Sequence, residues 1–452
     1  MKTLSVNNND IHGAGYRFDA GFHLSDGVSI RRSINKSPLG TTTISALSEN
    51  IFYGLRANRV YVTNPSHAIS FMTGANILLT NLDNTKLVSK LYTPCIEEMT
   101  LKRGWTLITR SGTVGQTAWS NSTHEGRYGS EDIIRVVPRS SVKGGVVYAY
   151  LASRFGHSLL TQGSFGAVIQ HIEPSFVGDI LIPVFDENLQ DDVDKRIQKS
   201  AVLREESSKC FHEAVELFER LLCKSKYRSC CHTQVTSSKQ VSGRFTRFDA
   251  QYQIGSNELS KEILGVETGK VGSVAKKIYV GNRGKRYYVK EGIPFLSSSD
   301  MMLFNPIKYS TPISVKTPNL DGLLVHTDDI LISRSGTIGN TVIVSDTLNG
   351  KAVSEHALRL VIDPDKIDPN YVFCYLNTAH GKRVLESLAY GSVIITLGEE
   401  FVANIDLPLL SKEAQDTISA KIKQYSSLLD EATRLENEAV SLVEAEIEKW
   451  NN

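Results

Sequence analysis

Ile108-Thr109-Arg110-Ser111-Gly112-Thr113-Val114-Gly115 recurs as Ile332-Ser333-Arg334-Ser335-Gly336-Thr337-Ile338-Gly339, 224 positions later in a chain of 452 residues. In each copy a β-branched run leads into Ser-Gly-Thr and a second glycine, and a further run follows at 117–119 and at 341–344. That order predicts strand, tight turn, strand, with the glycines supplying the backbone geometry. An offset close to half the chain raises the question of a whole-chain duplication.

The flanking sequence answers it. Arg17-Phe18-Asp19-Ala20 returns as Arg247-Phe248-Asp249-Ala250, each followed by an aromatic, Phe22 or Tyr252. Residues 51–62 and 278–289 share a skeleton of Ile, aromatic, Gly, Arg, Arg, Tyr and Val in fixed register. Beyond the turn phrase, Ser130-Glu131 matches Ser354-Glu355, Arg135 matches Arg359, and Tyr150-Leu151 matches Tyr375-Leu376. Gly166-Ala167-Val168-Ile169 matches Gly391-Ser392-Val393-Ile394, Ile180-Leu181-Ile182-Pro183 matches Ile405-Asp406-Leu407-Pro408, and Gln190 matches Gln415. The offset drifts only between 230 and 224. The chain is two copies of one ancestral unit.

Each half ends in a charged stretch free of Gly and Pro, 188–225 and 413–449. Ile418, Ile422, Tyr425, Leu428, Ala432, Leu435, Ala439 and Leu442 step by three and four in the second, as a helix stripe does. Val193, Ile197, Phe211, Ala214, Phe218 and Leu221 form a less regular face in the first. Each helix would run on the order of 50 Å, and pairing the two antiparallel as a coiled coil covers both stripes. Strand-like runs at 77–79, 133–137, 180–183, 278–280, 330–333, 358–362 and 405–407 surround one helix candidate per half, 145–154 and 369–387. The expectation is an α+β chain with pseudo-two-fold internal duplication: mixed-sheet domains at 1–187 and 246–411, long helices at 188–226 and 412–452, and a Ser/Thr-rich linker at 227–245.

Composition bounds the function. With 41% hydrophobic and 22% charged residues the chain is ordinary globular material, and 50 basic residues nearly cancel 49 acidic ones. Nucleic-acid binding would therefore fall on local patches. The first ten residues lack a signal-peptide core, and no apolar run reaches the roughly 18–20 residues that span a bilayer. Six cysteines without zinc-type spacing, Cys230-Cys231-His232 being their only cluster, read as reduced thiols in the cytoplasm.

A search for catalytic machinery finds none. Gly265-Val266-Glu267-Thr268-Gly269-Lys270-Val271 has the wrong spacing for a phosphate loop, and no Asn/Asp-Pro-Pro-aromatic methyltransferase site occurs. Asp363-Pro364-Asp365-Lys366 reads as a strand-to-helix loop rather than a nuclease cluster. Lys276, Lys277, Arg283, Lys285, Arg286 and Lys290 fall within fifteen residues, interleaved with Tyr279, Tyr287 and Tyr288 and with no acidic residue among them. Such cations neutralise phosphates, and arginine reads guanine in the major groove. The first half keeps Arg56 and Arg59 in register but has Asn58 in place of Lys285, which suits two readers of different sequences. The alternative is a solvated strand pair whose arginines make ion pairs. Arg110 and Arg334, in the turn phrase, are candidates for DNA contact or for anchoring the hairpin; Asp19 and Asp249 are expected to cap or pair within the scaffold.

Together the Arg-Phe-Asp start, the Ile-Ser-Arg-Ser-Gly-Thr-Ile-Gly phrase, the Ile-x-Leu-Pro exit at 405–408 with Gln415, and the long helices resemble the specificity subunits of type I restriction–modification systems. The resemblance covers essentially the whole chain; the Pro183-Val184-Phe185-Asp186 exit of the first half departs from it. It implies a non-catalytic subunit with two target-recognition domains, each reading half of a bipartite double-stranded DNA site. The paired helices would set the spacer, and with Ile418, Ile422, Tyr425, Leu428 and Leu435 would dock two methyltransferase subunits. Restriction subunits would join them. No cofactor is expected on this chain: S-adenosylmethionine and ATP would bind the partners. The competing readings are a DNA-recognition component of another phage-defence assembly and a duplicated coiled-coil scaffold that binds only protein.

Overall fold

The computed structural model describes residues 16–83, 85–164, 170–222, 237–241, 247–336, 338–393 and 395–450, with residues 3, 5, 6, 8, 11 and 245. The first copy of the Gly-x-Val-Ile repeat (166–169), Thr337, Ile394, the Cys230-Cys231-His232 cluster and most of the 227–245 linker lie outside the described residues. The chain divides into two units, 1–205 with 431–452, and 206–430.

In unit 1 the strands are β1 (Thr41–Thr43), β2 (Ser48–Tyr53), β3 (Ala68–Met72), β4 (Leu87–Ser89), β5 (Thr106–Thr109), β6 (Thr117–Trp119), β7 (Tyr128–Gly129), β8 (Ile133–Pro138) and β9 (Leu181–Pro183). They form an antiparallel sheet β2-β8-β5-β6, a small sheet β4-β3-β7 in which β3 and β7 are parallel, and a pair β1-β9. Unit 2 repeats this strand for strand. There β10 (Thr268–Lys270), β11 (Ala275–Val280), β12 (Tyr288–Leu296), β13 (Thr311–Ile313), β14 (Ile330–Ser333), β15 (Thr341–Ile343), β16 (Ala352–Val353), β17 (Ala357–Ile362) and β18 (Asp406–Pro408) form β11-β17-β14-β15, β13-β12-β16 and β10-β18. The duplication inferred from scattered identities is a duplication of topology.

The turn phrase joins β5 to β6 and β14 to β15. Gly112 and Gly115 sit at φ +75° and +86°, and Gly336 and Gly339 at +80° and +86°, where a Cβ is strained. Gly115 N–H donates to Thr109 O at 3.0 Å, and Gly339 N–H to Ser333 O at 3.1 Å, closing the same turn twice.

Each half holds two consecutive helices where one is expected: α1 (Gly144–Ala152) and α2 (Arg154–Gln162), then α4 (Pro369–Asn377) and α5 (Ala379–Leu388). The break is chemical. Ser153 and Thr378 adopt extended backbone, and their hydroxyls accept from Gly156 N at 3.2 Å and Gly381 N at 3.0 Å, which starts a new helix. A Cβ on either glycine would lie 2.2 Å from the carbonyl of Tyr150 or Tyr375, so the two helices pack at a contact only glycine permits. The expected strand at 77–79 is instead covered mostly by a short 3-10 turn, Gly74–Leu78, because the Asn76 side chain accepts the Thr73 backbone N–H at 2.9 Å.

The long helices α3 (Glu187–Leu222) and α6 (Lys412–Lys449) each pass from one unit into the other. They run antiparallel within each unit: Ser200 Oγ donates to Ala432 O at 2.7 Å in unit 1, and Ser207 Oγ to Tyr425 O at 2.8 Å in unit 2. In unit 1, Val193, Ile197, Ala439, Val443 and Ile447 join the core formed by α1, α2 and the large sheet. In unit 2, Phe211, Ala214, Phe218, Ile418 and Ile422 do the same. Leu222 faces inward rather than the expected Leu221. Ile418 and Ile422 are fully buried, and Tyr425 packs on Phe211 with ring centroids 5.3 Å apart. The structure thus corrects the expectation that Ile418 and Ile422 meet a partner: their apolar surface is already covered by their own unit, while Tyr425 stays half-buried. Leu428 and Leu435 stay half-buried.

Candidate nucleic-acid interface

A fully buried arginine in each half ties the small sheet to the large one. Arg135, on β8, donates to the carbonyls of Ser130, Ile133, Met99 and Gly129 at 3.1, 2.7, 3.3 and 2.7 Å. Arg359, on β17, repeats this with Ser354, Ala357, Leu323 and Val353. No carboxylate pairs with either among the described residues; carbonyl dipoles and the rings of Phe52 and Tyr279 surround them. Burial pushes Arg135 down to about 10, so it stays charged at neutral pH, and burial lowers Arg359 as well. A Cβ on Gly54 would lie 3.5 Å from the Arg135 guanidinium, and one on Gly281, its counterpart, 3.1 Å from that of Arg359. The glycine of the Ile-aromatic-x-Gly skeleton serves this arginine.

Around this anchor the nine candidate residues divide. Arg59 and Arg286 are engaged in the scaffold, each in the same way. Arg59 pairs with Glu131 and lies over the Phe71 ring at 4.7 Å; Arg286 lies 3.3 Å from Glu355 and 5.5 Å over Phe295, and donates to Asn282 O at 2.6 Å. Burial lowers the Arg59 guanidinium's affinity for its proton, but the Glu131 bond and charge outweigh that and raise it overall. Arg110 is likewise engaged, 2.6 Å from Glu173 and 4.2 Å over Tyr53, and Arg334 donates to Leu397 O at 3.2 Å. These four hold hairpins and loops in place.

Arg56, Arg283, Lys277 and Lys285 remain exposed and take no ion pair among the described residues. Arg56 follows β2 and Arg283 follows β11, so the two occupy one place in the two halves. Lys277 lies 4.0 Å over Tyr279, and Lys285 5.5 Å over Tyr287. Lys276 stands apart, near the other end of β11, 3.4 Å from Asp363 in the strand-to-helix loop.

The structure adds cations that the sequence reading missed. Tyr61 bridges to Val88 of β4, and Lys86 sits 5.1 Å over the Tyr61 ring. Lys90 and Tyr92, both exposed, follow β4 directly. In unit 2, Ser314 N donates to Tyr287 O at 2.8 Å, which brings exposed Lys316 beside the Arg283–Tyr288 segment. β4 and β13 hold equivalent seats but share no readable motif, so only strand pairing reveals that their basic ends join the patch. Each half therefore presents an edge of its small sheet lined by exposed cations and tyrosines. Such a surface can neutralise phosphates and offer hydrogen-bond donors and flat rings to bases.

Residues 264–441 match the type I restriction modification DNA specificity domain. No curated protein matches the chain. Among solved structures, the specificity subunit of the type I restriction–modification system from M. genitalium is 14% identical, over 92% of this chain and 96% of that one, with a TM-score of 0.36. The HsdS subunit from Thermoanaerobacter tengcongensis is 14% identical over 91% and 95%, with a TM-score of 0.29. The matched residues hold all nine strands of unit 2. Residues 264–441 of this chain therefore form a type I restriction modification DNA specificity domain, and unit 1 repeats their strand order.

Proposed function

We propose that the chain reads a bipartite double-stranded DNA target, one half-site per unit, through the exposed edge of each small sheet. One observation carries the reading: within the matched specificity domain, Arg283, Lys285 and Lys316 stand exposed beside Tyr287 and Tyr288 while Arg286 is held by Glu355. Arg56, Lys86 and Lys90 take the corresponding part in unit 1. The two edges differ in charge and residue, which suits an asymmetric site.

The family is non-catalytic, binds DNA and assembles with other restriction–modification subunits. In this chain we assign the docking of two methyltransferase subunits to the outer flanks of α3 and α6, where Leu428 and Leu435 remain partly accessible. Restriction subunits would join that complex, the methyl donor and ATP would be held by the partners, and the assembly would work in the cytoplasm. Mapping adenine methylation in a genome with and without this gene tests the reading. A two-part motif should vanish with the gene, and exchange of residues 1–185 should alter one half of it. An unchanged methylation map overturns the reading.

A further inference from the structure

Two carboxylates at the middle of the long helices grip one loop in each unit. In unit 1, Ser122 N–H donates to Glu205 of α3 at 2.9 Å, and the Arg103 guanidinium lies 2.9 Å from the same carboxylate. In unit 2, Asp430 of α6 accepts from Ser345 Oγ at 2.7 Å, Asp346 N at 3.1 Å and Thr347 N at 3.2 Å. The two loops are copies of each other. His124 N and Glu125 N bond back to Asn121 O, as Leu348 N and Asn349 N bond back to Ser345 O.

Each loop leads from the strand after the turn phrase into the small sheet. The 121–127 loop carries Arg127, whose guanidinium holds Ser70, Leu82 and Thr85 at 2.7, 3.1 and 3.1 Å, and it enters β7 alongside β3. The 345–351 loop bonds to Val325 and enters β16 alongside β12. The carboxylate is thus the link between a rigid helix and the sheet edge that bears Arg56, Lys86 and Lys90, or Arg283, Lys285 and Lys316. A backbone N–H held by a charged acceptor is a directional bond, suited to fixing an angle. The helix-binding core of each unit is built from α1 and α2, or α4 and α5, so the loop contact is a second, separate point of attachment. Two points of attachment define an orientation where one would leave a pivot.

We propose that Glu205 and Asp430 are positioning residues that fix each reading edge at one angle on its long helix, and so set which half-site separation the subunit accepts. This rests on the DNA-reading function proposed above. Half-site spacing follows geometrically from how rigidly two reading elements are mounted on one protein. Neither carboxylate touches the reading edge itself, so base choice within a half-site is left to other residues.

The test uses the chain assembled with its methyltransferase subunits, and reads methylation of duplexes whose two half-sites are separated by the native spacer or by one base pair more or fewer. Glu205→Ala and Asp430→Ala should each narrow the preference for the native spacer over its neighbours by about tenfold, with both half-site sequences unchanged. Glu205→Gln keeps an acceptor for Ser122 N–H and should restore most of the preference. A uniform loss at every spacer, or an unchanged preference, overturns the proposal; thermal melting of each variant separates either result from unfolding. If the native complex methylates no bipartite site at all, the DNA-reading function fails first, and this proposal falls with it.

Discussion

The two units fill the same seat between helix and body with opposite chemistry. In unit 1, Tyr148 OH donates to Glu436 Oε1 at 2.5 Å, and Arg204 pairs with the other oxygen; Glu436 is 1% exposed. The corresponding positions in unit 2 are Phe373, Phe211 and Leu429, and there Phe211 packs on Phe373 and Tyr425 with ring centroids 6.2 and 5.3 Å apart. One backbone plan thus accepts either a buried ion pair with its hydroxyl or an aromatic cluster. The difference teaches that the seat itself, rather than any one chemistry, is what the fold requires. A buried ion pair gains little over apolar packing but is costly to break, because the survivor keeps its charge without water.

The largest expected effect comes from breaking that pair. Glu436→Ala should cost about 3–5 kcal/mol in denaturant unfolding, since Arg204 loses its buried partner. Copying unit 2 with Tyr148→Phe, Arg204→Leu and Glu436→Phe together should leave stability equal or higher. A triple variant as weak as the single one would show that unit 1 needs the charges.

A second asymmetry concerns acid. His124 is buried in unit 1 between Asn121 Oδ1 and Ile77 O, each 3.0 Å away, where unit 2 has Leu348. Burial holds its imidazole down at about 4. The unfolded chain takes up the proton near pH 6.5 and the folded one does not, so the stability is intact above pH 6.5 and is lost as the pH falls toward 4. The span corresponds to about 3 kcal/mol. His124→Leu should flatten this slope while lowering the melting temperature at neutral pH, because Asn121 and Ile77 lose a partner. Burial also lowers His380 in unit 2, so some slope should remain. An unaltered profile of stability against pH would show that His124 binds its proton equally well in the folded and the unfolded chain.

Within the reading edges, the comparison runs between neighbouring arginines. Arg283→Ala should weaken DNA binding by about 1–3 kcal/mol if it contacts a base, and should leave the melting temperature unchanged. Arg286→Ala should instead destabilise unit 2, since Glu355 and the Asn282 carbonyl lose a bound guanidinium. Fluorescence anisotropy beside thermal melting would separate the two, and the opposite pattern would reassign them. Lys276→Ala should have the smallest effect on either readout, because its ion pair with Asp363 is half exposed and lies away from the edge.

Much of the fold was legible because duplication writes every constraint twice. The paired glycines, the Arg-Phe-Asp starts and the Ile-x-Leu-Pro exit all mark backbone sites at which few residues fit. Asp19 and Asp249 do cap their helix starts, accepting from Phe22 N at 2.9 Å and Tyr252 N at 3.0 Å. The buried arginines Arg135 and Arg359 were visible only as a matched pair, since nothing local distinguishes an arginine wrapped in carbonyls from one on the surface. The helix stripe was legible as a stripe, but Ile418 and Ile422 bury against their own unit, which periodicity cannot distinguish from a partner.

The sequence by itself determined that the chain is a tandem repeat of one α+β unit with two long helices and two unequal basic segments. Hydrophobic period, turn chemistry and paired identities are local or internal properties, so they survive in a bare string. The tertiary structure decided which cations are available. Arg59 is engaged by Glu131 and Arg286 by Glu355, each about seventy residues away in sequence, while Lys86, Lys90 and Lys316 are brought to the edge by strand pairing. Whether a charge is spent inside the fold or offered to DNA depends on neighbours through space. The turn phrase that revealed the duplication closes a hairpin in each half, and strand pairing shows which cations stay exposed near the small sheets.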